Sequence, residues 1–375
     1  MKLFLVAGEP SGDRLGGALM AGLRRLAPGV AFAGVGGTAM QAEGLDSLFP
    51  MEELSVMGIL EVLPKYRSLK RRIAQVAAAV LASDAAALVT IDSPDFSLRV
   101  ARLVKAERPG FRTIHYVAPS VWAWRPGRAA KMAQVVDHVL ALLPFEPPYM
   151  QAAGMSCDFV GHPVVAEPRA SAAEAAAFRA TLGPGPCVLV LPGSRRGEVQ
   201  RLAPVFGAAV GALAAERGPV NAVLPTLPAI AGLVRALVAD WPVVPHVVVD
   251  PAARLSAFAA ADAALAASGT VSLELAANDV PMVIAYDMNP VSRFLIGRML
   301  QVDTVTLVNL VSETRAVPEF LGPRCRADLI APALAQVLAG DPAQQAAMRL
   351  TMERLGQGGE PPGLRAARSV LAAVG

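Results

Sequence analysis

The sequence predicts an α/β fold built as two Rossmann-like halves. Three observations carry this expectation. Short apolar runs end in glycine or acidic turns and are followed by helical periodicity. The pattern then restarts after a polar, proline-bearing stretch near residue 165. A length of 375 residues also favours two cores over one. The runs show little in–out alternation, as expected for strands covered on both faces of a parallel sheet.

Lys2–Ala7 reads as a central strand. It leads into Gly8-Glu9-Pro10-Ser11-Gly12-Asp13 and a helix marked by Leu15, Leu19, Leu23 and Leu26. This turn is neither GxGxxG nor a Walker loop. Its glycines admit close backbone approach, and Ser11 or Asp13 could cap the helix. A second strand and glycine turn follow at 31–37. Leu88–Ile91 is a buried strand that ends on Asp92, with Pro94 and Asp95 just beyond. Ligands meet parallel sheets at the C-terminal ends of strands, so Glu9 and Asp92 share one functional edge. The competing reading is that Asp92 and Asp95 only cap the next helix.

Residues 51–72 differ in character. Val56, Met57, Ile59, Leu60 and Leu63 form an apolar face, followed by Lys65, Arg67, Lys70, Arg71 and Arg72. An apolar face beside a basic cluster suits an anionic membrane surface. An ordinary helix packed on its own domain is the other reading, and Pro64 is expected to break or kink it. His115, inside the strand 113–117, fits a core histidine better than a base. Trp122 and Trp124 lie in the loop after that strand, where they suit either an exposed binding surface or packing beneath the loop.

Gly161-His162-Pro163 and Val164–Ser171 read as a linker. Beyond it, the strand Val188–Leu191 runs into Pro192-Gly193-Ser194-Arg195-Arg196, a turn with arginines where a phosphate would sit. Strand 263–267 opens into Ser268-Gly269-Thr270 and a helix whose free N–H groups suit phosphate. Glu274, one turn on, could accept hydrogen bonds from ribose hydroxyls or be a surface acid. Strand 281–285 and the Val305–Asn309 segment close the set. Two helices are expected in the tail, divided by the glycine- and proline-rich 356–363 stretch.

Composition narrows the function. The chain is 54% hydrophobic and 17% charged, which excludes global disorder, and a net charge of +3 gives no argument for nucleic acid. Cys157, Cys187 and Cys325 are scattered without CxxC, and the four histidines lack metal-ligand spacing, so neither metal nor cofactor is expected. No signal peptide or transmembrane stretch is read, which points to a cytoplasmic protein. No Asp-x-Asp occurs, which favours helix ends and arginine over a metal for holding a diphosphate. Together these features suggest a two-domain nucleotide-sugar enzyme.

Several motifs resemble the lipid-A-disaccharide synthases, a family of glycosyltransferases. They are GEPSGD (8–13), MEELSVMGILEVLP (51–64), IDSPDF (91–96), HYVAPSVWAWR (115–125), LPFE (143–146), GHP (161–163), LPGSRRGEV (191–199), ASGTVSLE (267–274) and VNL (308–310). Pro10 and Ser93 stand where the family often has Ala, and Arg196 is a variable position. The resemblance implies a GT-B fold, two Rossmann-like domains facing across a cleft. Residues 1–165 would be the acceptor and membrane-facing domain, completed by C-terminal helices at about 345–375. Residues 172–344 would bind the UDP-sugar. It implies transfer of diacylated glucosamine from UDP to the 6-hydroxyl of diacylglucosamine 1-phosphate, with inversion and no metal, at the cytoplasmic face of the inner membrane. It assigns the base to Asp92 and a second important acid to Glu9. Nucleotide contacts go to Ser194, Arg195, Gly269, Thr270, Glu274 and Asn309. A homodimer with exchanged C-terminal helices is compatible with the family. Two other readings stay open: a UDP-sugar epimerase or a transferase with a soluble acceptor, and a non-catalytic nucleotide-sugar-binding protein.

Overall fold

The computed structural model describes residues 1–375 apart from 55–58, 125–126, 290–292, 294–298 and 300–301, and for 59–66 it describes the helical course alone. The chain forms two compact units. The first comprises Met1–Pro163 with Gly358–Gly375, and the second comprises Val164–Gln357.

The first unit holds strands β1 (Lys2–Ala7), β2 (Ala31–Val35), β3 (Ala87–Ile91), β4 (Arg112–Tyr116), β5 (His138–Ala141) and β6 (Ser156–Phe159). They form one parallel sheet in the order β2-β1-β3-β4-β5-β6. From β1 the chain first moves to one side, to β2, and then crosses to β3 on the other. The topological switch point therefore lies between β1 and β3, where Ala7 pairs with Ile91. Leu3, Leu5, Val6, Leu88, Val89 and Ile91 are fully buried, as strands covered by helices on both faces require.

The second unit repeats the logic with β7 (Cys187–Leu191), β8 (Asn221–Pro225), β9 (His246–Val248), β10 (Ala263–Ala266), β11 (Met282–Tyr286) and β12 (Glu319–Leu321). Its order is β12-β11-β10-β7-β8-β9, again parallel, with the switch point between β7 and β10.

Three expectations need correction here. The last two helices do not both join the first unit. The Pro342–Arg354 helix stays in the second, where Met348, Thr351 and Met352 are buried. Thr351 Oγ1 donates to the Val308 carbonyl at 3.2 Å, and Arg354 Nη1 donates to that of Val311 at 2.6 Å. Only the final helix, Pro362–Val374, returns to the first unit, and the crossing falls in the breaker stretch. Pro64 does not break its helix, which runs from Ile59 to Ala82. A proline inside a helix costs about 3 kcal/mol or more, and the buried Ile73, Val76 and Val80 of the same helix hold it against the first unit's core. The segment expected to close the strand set is instead the start of a helix, Leu307–Ser312.

The final helix docks by backbone contact. A Cβ on Gly22 would lie 2.6 Å from the Gly363 carbonyl oxygen, and one on Gly363 would lie 2.5 Å from that of Ala18. Only glycine permits this approach. Polar bonds complete the seam. His138 Nε2 and Ser369 Oγ are 2.8 Å apart, Ser369 Oγ donates to Asp158 Oδ2 at 2.6 Å, and Arg112 Nε donates to the Ala373 carbonyl at 2.7 Å.

Candidate active site

In the first unit, Asp92 sits just past β3 in an uncommon conformation. Asp92 and Ser93 both have positive φ, 54° and 45°, which costs a non-glycine residue on the order of 1–2 kcal/mol. Their surroundings hold them there. The Asp92 N–H donates to the Tyr116 carbonyl at 2.9 Å, and buried Ser97 donates its hydroxyl to the Asp92 carbonyl at 2.8 Å. Asp92 Oδ1 accepts from the Ser93 N–H at 2.9 Å, and Oδ2 accepts from Ser11 Oγ at 3.4 Å. Each carboxylate oxygen keeps acceptor capacity for a further hydroxyl. Pro94 then opens the Pro94–Glu107 helix, with Asp95 exposed in its first turn, where a negative charge favours the helix dipole.

Glu9 is exposed at the N-cap position of the Pro10–Leu26 helix, on the same sheet edge as Asp92. Neither Ser11 nor Asp13 caps that helix. Asp13 is 5% exposed and instead grips the turn after β2, accepting from the N–H groups of Gly37 at 2.8 Å, Ala39 at 2.9 Å and Met40 at 3.0 Å. A further strained residue, Val117 with φ 88°, lies at the same edge after β4. A β-branched residue there is a genuine outlier, and such strain gathers at functional sites.

Of the two loop tryptophans, Trp122 is packed and Trp124 half-buried. Trp122 meets Phe145 edge-on at 5.1 Å and donates its indole N–H to Glu146 at 3.4 Å. Glu146 also accepts from the N–H groups of Leu142 and Leu143 at 3.1 and 3.0 Å, and burial raises its carboxyl to about 7. The LPFE motif thus anchors the tryptophan loop. His115 is a core residue whose Nδ1 lies 2.7 Å from Thr90 Oγ1, and burial lowers it to about 4.

Among the proposed membrane residues, Arg67, Lys70 and Arg71 are exposed. Arg72 is not available to a surface. Its guanidinium binds both oxygens of Glu53 at 2.7 Å and stacks 4.2 Å over Phe49. Val56 and Met57, and the side chains of Ile59, Leu60, Leu63 and Lys65, lie outside the described residues. No helix among the described residues is long and apolar enough to cross a membrane.

In the second unit, a cavity of about 410 Å³ opens at the C-terminal ends of β7, β8 and β10, beside the switch point. Gly193, Ser194, Arg195, Gly269, Thr270 and Glu274 all line it. Arg195 is the N-cap of the Arg196–Arg217 helix, and its side chain is 78% exposed and bonded to Glu198 Oε1 at 3.2 Å. Gly193 has φ 102°, and a Cβ there would meet Glu198 Oε2 at 2.8 Å, so glycine is required. Asn309 stands apart. It is 1% exposed and spends its amide on Thr304 Oγ1 and on both backbone groups of Val317, so it braces the unit instead of facing the cavity. Arg254 and Thr226, two further lining residues, carry no sequence motif.

Paired parallel α/β units, each bearing polar groups at its switch point, define the GT-B class of two-domain folds. Solved structures share this fold. A UDP-GlcNAc 2-epimerase from Neisseria meningitidis, bound to UDP-GlcNAc, matches with a TM-score of 0.64 at 10% identity, covering 99% of each chain. At that identity the likeness shows the fold alone. Sequence is more specific. The lipid-A-disaccharide synthetase family model matches residues 3–372. The lipid-A-disaccharide synthase of Ruegeria pomeroyi is 64% identical over 99% of this chain and 95% of its own length. That of Rhodospirillum centenum is 49% identical over 98% and 94%. The chain belongs to the lipid-A-disaccharide synthetase family.

Proposed function

We propose that this chain is a lipid-A-disaccharide synthase that joins the diacylglucosamine of UDP-2,3-diacylglucosamine to the 6-hydroxyl of 2,3-diacylglucosamine 1-phosphate. The whole-length relation to named synthases carries the reading. The chemistry is one inverting displacement without a metal. Asp92 takes the proton of the 6-hydroxyl as O6 bonds to the anomeric carbon and the bond from that carbon to the UDP oxygen breaks. A positioned general base of this kind contributes roughly 10²–10⁴-fold. The departing diphosphate gains negative charge, which Arg195 and the N–H groups of Gly269 and Thr270 stabilise. Glu274 holds the ribose hydroxyls, and Glu9 lies with Asp92 on the acceptor side. Asn309 acts by bracing the fold. The exposed Arg67, Lys70 and Arg71 support peripheral binding at an anionic surface, the cytoplasmic face of the inner membrane.

The test is UDP release from UDP-2,3-diacylglucosamine in mixed micelles, with and without the 1-phosphate acceptor. Acceptor-dependent release with disaccharide formation is expected. Asp92→Asn should bind UDP like the wild type and lose turnover by at least about 100-fold. Release that ignores the acceptor, or full activity in Asp92→Asn, overturns the reaction or the base assignment respectively.

A further inference from the structure

We infer that Arg254 is a positioning residue that orients Glu274 for the nucleotide's ribose, an inference that rests on the ribose role proposed for Glu274. Asp250 caps the Pro251–Ala259 helix through the Ala253 N–H at 2.7 Å, which fixes the first turn. Arg254 extends from the end of that turn, and its guanidinium stacks 4.7 Å from the Phe258 ring centroid. Its Nη2 is hydrogen-bonded to Glu274 Oε2, and both side chains line the 410 Å³ cavity.

The two carboxylate oxygens therefore differ. Oε2 is committed to Arg254, while Oε1 has no partner among the described residues. A glutamate side chain has three rotatable bonds, and fixing it costs about 1.5–2 kcal/mol of rotamer entropy. The stacked guanidinium has already set that rotamer before any nucleotide arrives. The pair lies between the main cavity and a smaller one lined also by Glu167, Arg169 and Phe258. Binding energy then comes from hydroxyl contacts without the loss of ordering a free acid.

The readout is the ratio of the dissociation constants for 2′,3′-dideoxy-UDP and UDP, measured by calorimetry on the full chain. Effects of charge on the phosphates appear in both constants and cancel. Wild type should prefer UDP by about 10- to 100-fold, the scale of hydrogen bonds to a charged acceptor. Glu274→Ala should bring the ratio close to one. Arg254→Ala should bring it most of the way there, and Arg254→Lys should recover part of it. An unchanged ratio in Arg254→Ala, with both constants raised equally, would mean a direct phosphate contact and overturns the proposal. An unchanged ratio in Glu274→Ala, or a wild-type ratio near one, overturns the ribose reading itself. If circular dichroism shows Arg254→Ala to be unfolded, Arg254→Lys decides: a ratio equal to wild type refutes orientation by the planar, stacked guanidinium.

Discussion

Asp13→Asn separates the two acids of the GEPSGD motif. Asp13 accepts three backbone N–H bonds with little solvent to replace them. Asparagine can keep its oxygen toward Gly37 and Met40, but its amide then confronts the Ala39 N–H. One charge-assisted bond is lost, worth about 1.5–3 kcal/mol, and the part-buried Ala39 N–H is left without its acceptor at a further cost of up to ~1–3 kcal/mol. Some relaxation at the exposed side of the turn is expected, so the net loss should be about 3 kcal/mol, a large share of a typical domain's 5–15 kcal/mol. Urea unfolding, with hydrogen exchange read on peptides covering 31–45, measures it. The exchange locates the damage in the turn after β2. Turnover per folded molecule should stay near wild type, the opposite of Asp92→Asn. A stability loss below about 1 kcal/mol would refute the clamp. A collapse in turnover without a loss of stability would move Asp13 into the chemistry.

Two more outcomes follow from buried or strained positions. The Glu146 carboxyl is raised from 4.5 to about 7, so the folded chain binds its proton more tightly than the unfolded chain does. Stability is therefore lost as pH rises from 4.5 through 7, by up to about 3 kcal/mol, and Glu146→Gln should remove that slope. Parallel pH–stability curves for the two proteins would contradict this. Gly193→Ala forces a Cβ into Glu198 at positive φ, and should weaken UDP binding by about tenfold, or ~1.4 kcal/mol. Calorimetry that finds unaltered affinity would show the turn has room to move.

Most of the central strands are plain in the sequence because their physics is simple, with buried β8 the unread exception. β1, β3, β7, β10 and β11 are buried on both faces and read as apolar runs ahead of turn residues. β9 and β12 were invisible because three-residue edge strands such as His246–Val248 carry no period. Leu307–Ser312 misled for a related reason: a short apolar run fits a helix and a strand equally. At the site, Gly193-Ser194-Arg195 and Gly269-Thr270 were legible from local turn chemistry. Arg254 was not, because its meaning arises only when Glu274, twenty residues away, folds beside it. Arg72 and Asn309 show the converse. Each looks functional in the sequence, yet its partners are backbone groups or side chains that sequence distance conceals.

The split first unit sets an order of events during synthesis. Its sheet emerges early, but the helix that Gly363 locks against Gly22 is made only after the whole second unit. At roughly 5–20 residues per second, the intervening 164–357 stretch takes on the order of 10–40 s to translate. During that interval the inserted unit can finish folding while its host cannot. The apolar ground later covered by Ala366, Ala367 and Val370 lies open on the nascent chain. The unit begun first is thus completed only after the unit inserted into it.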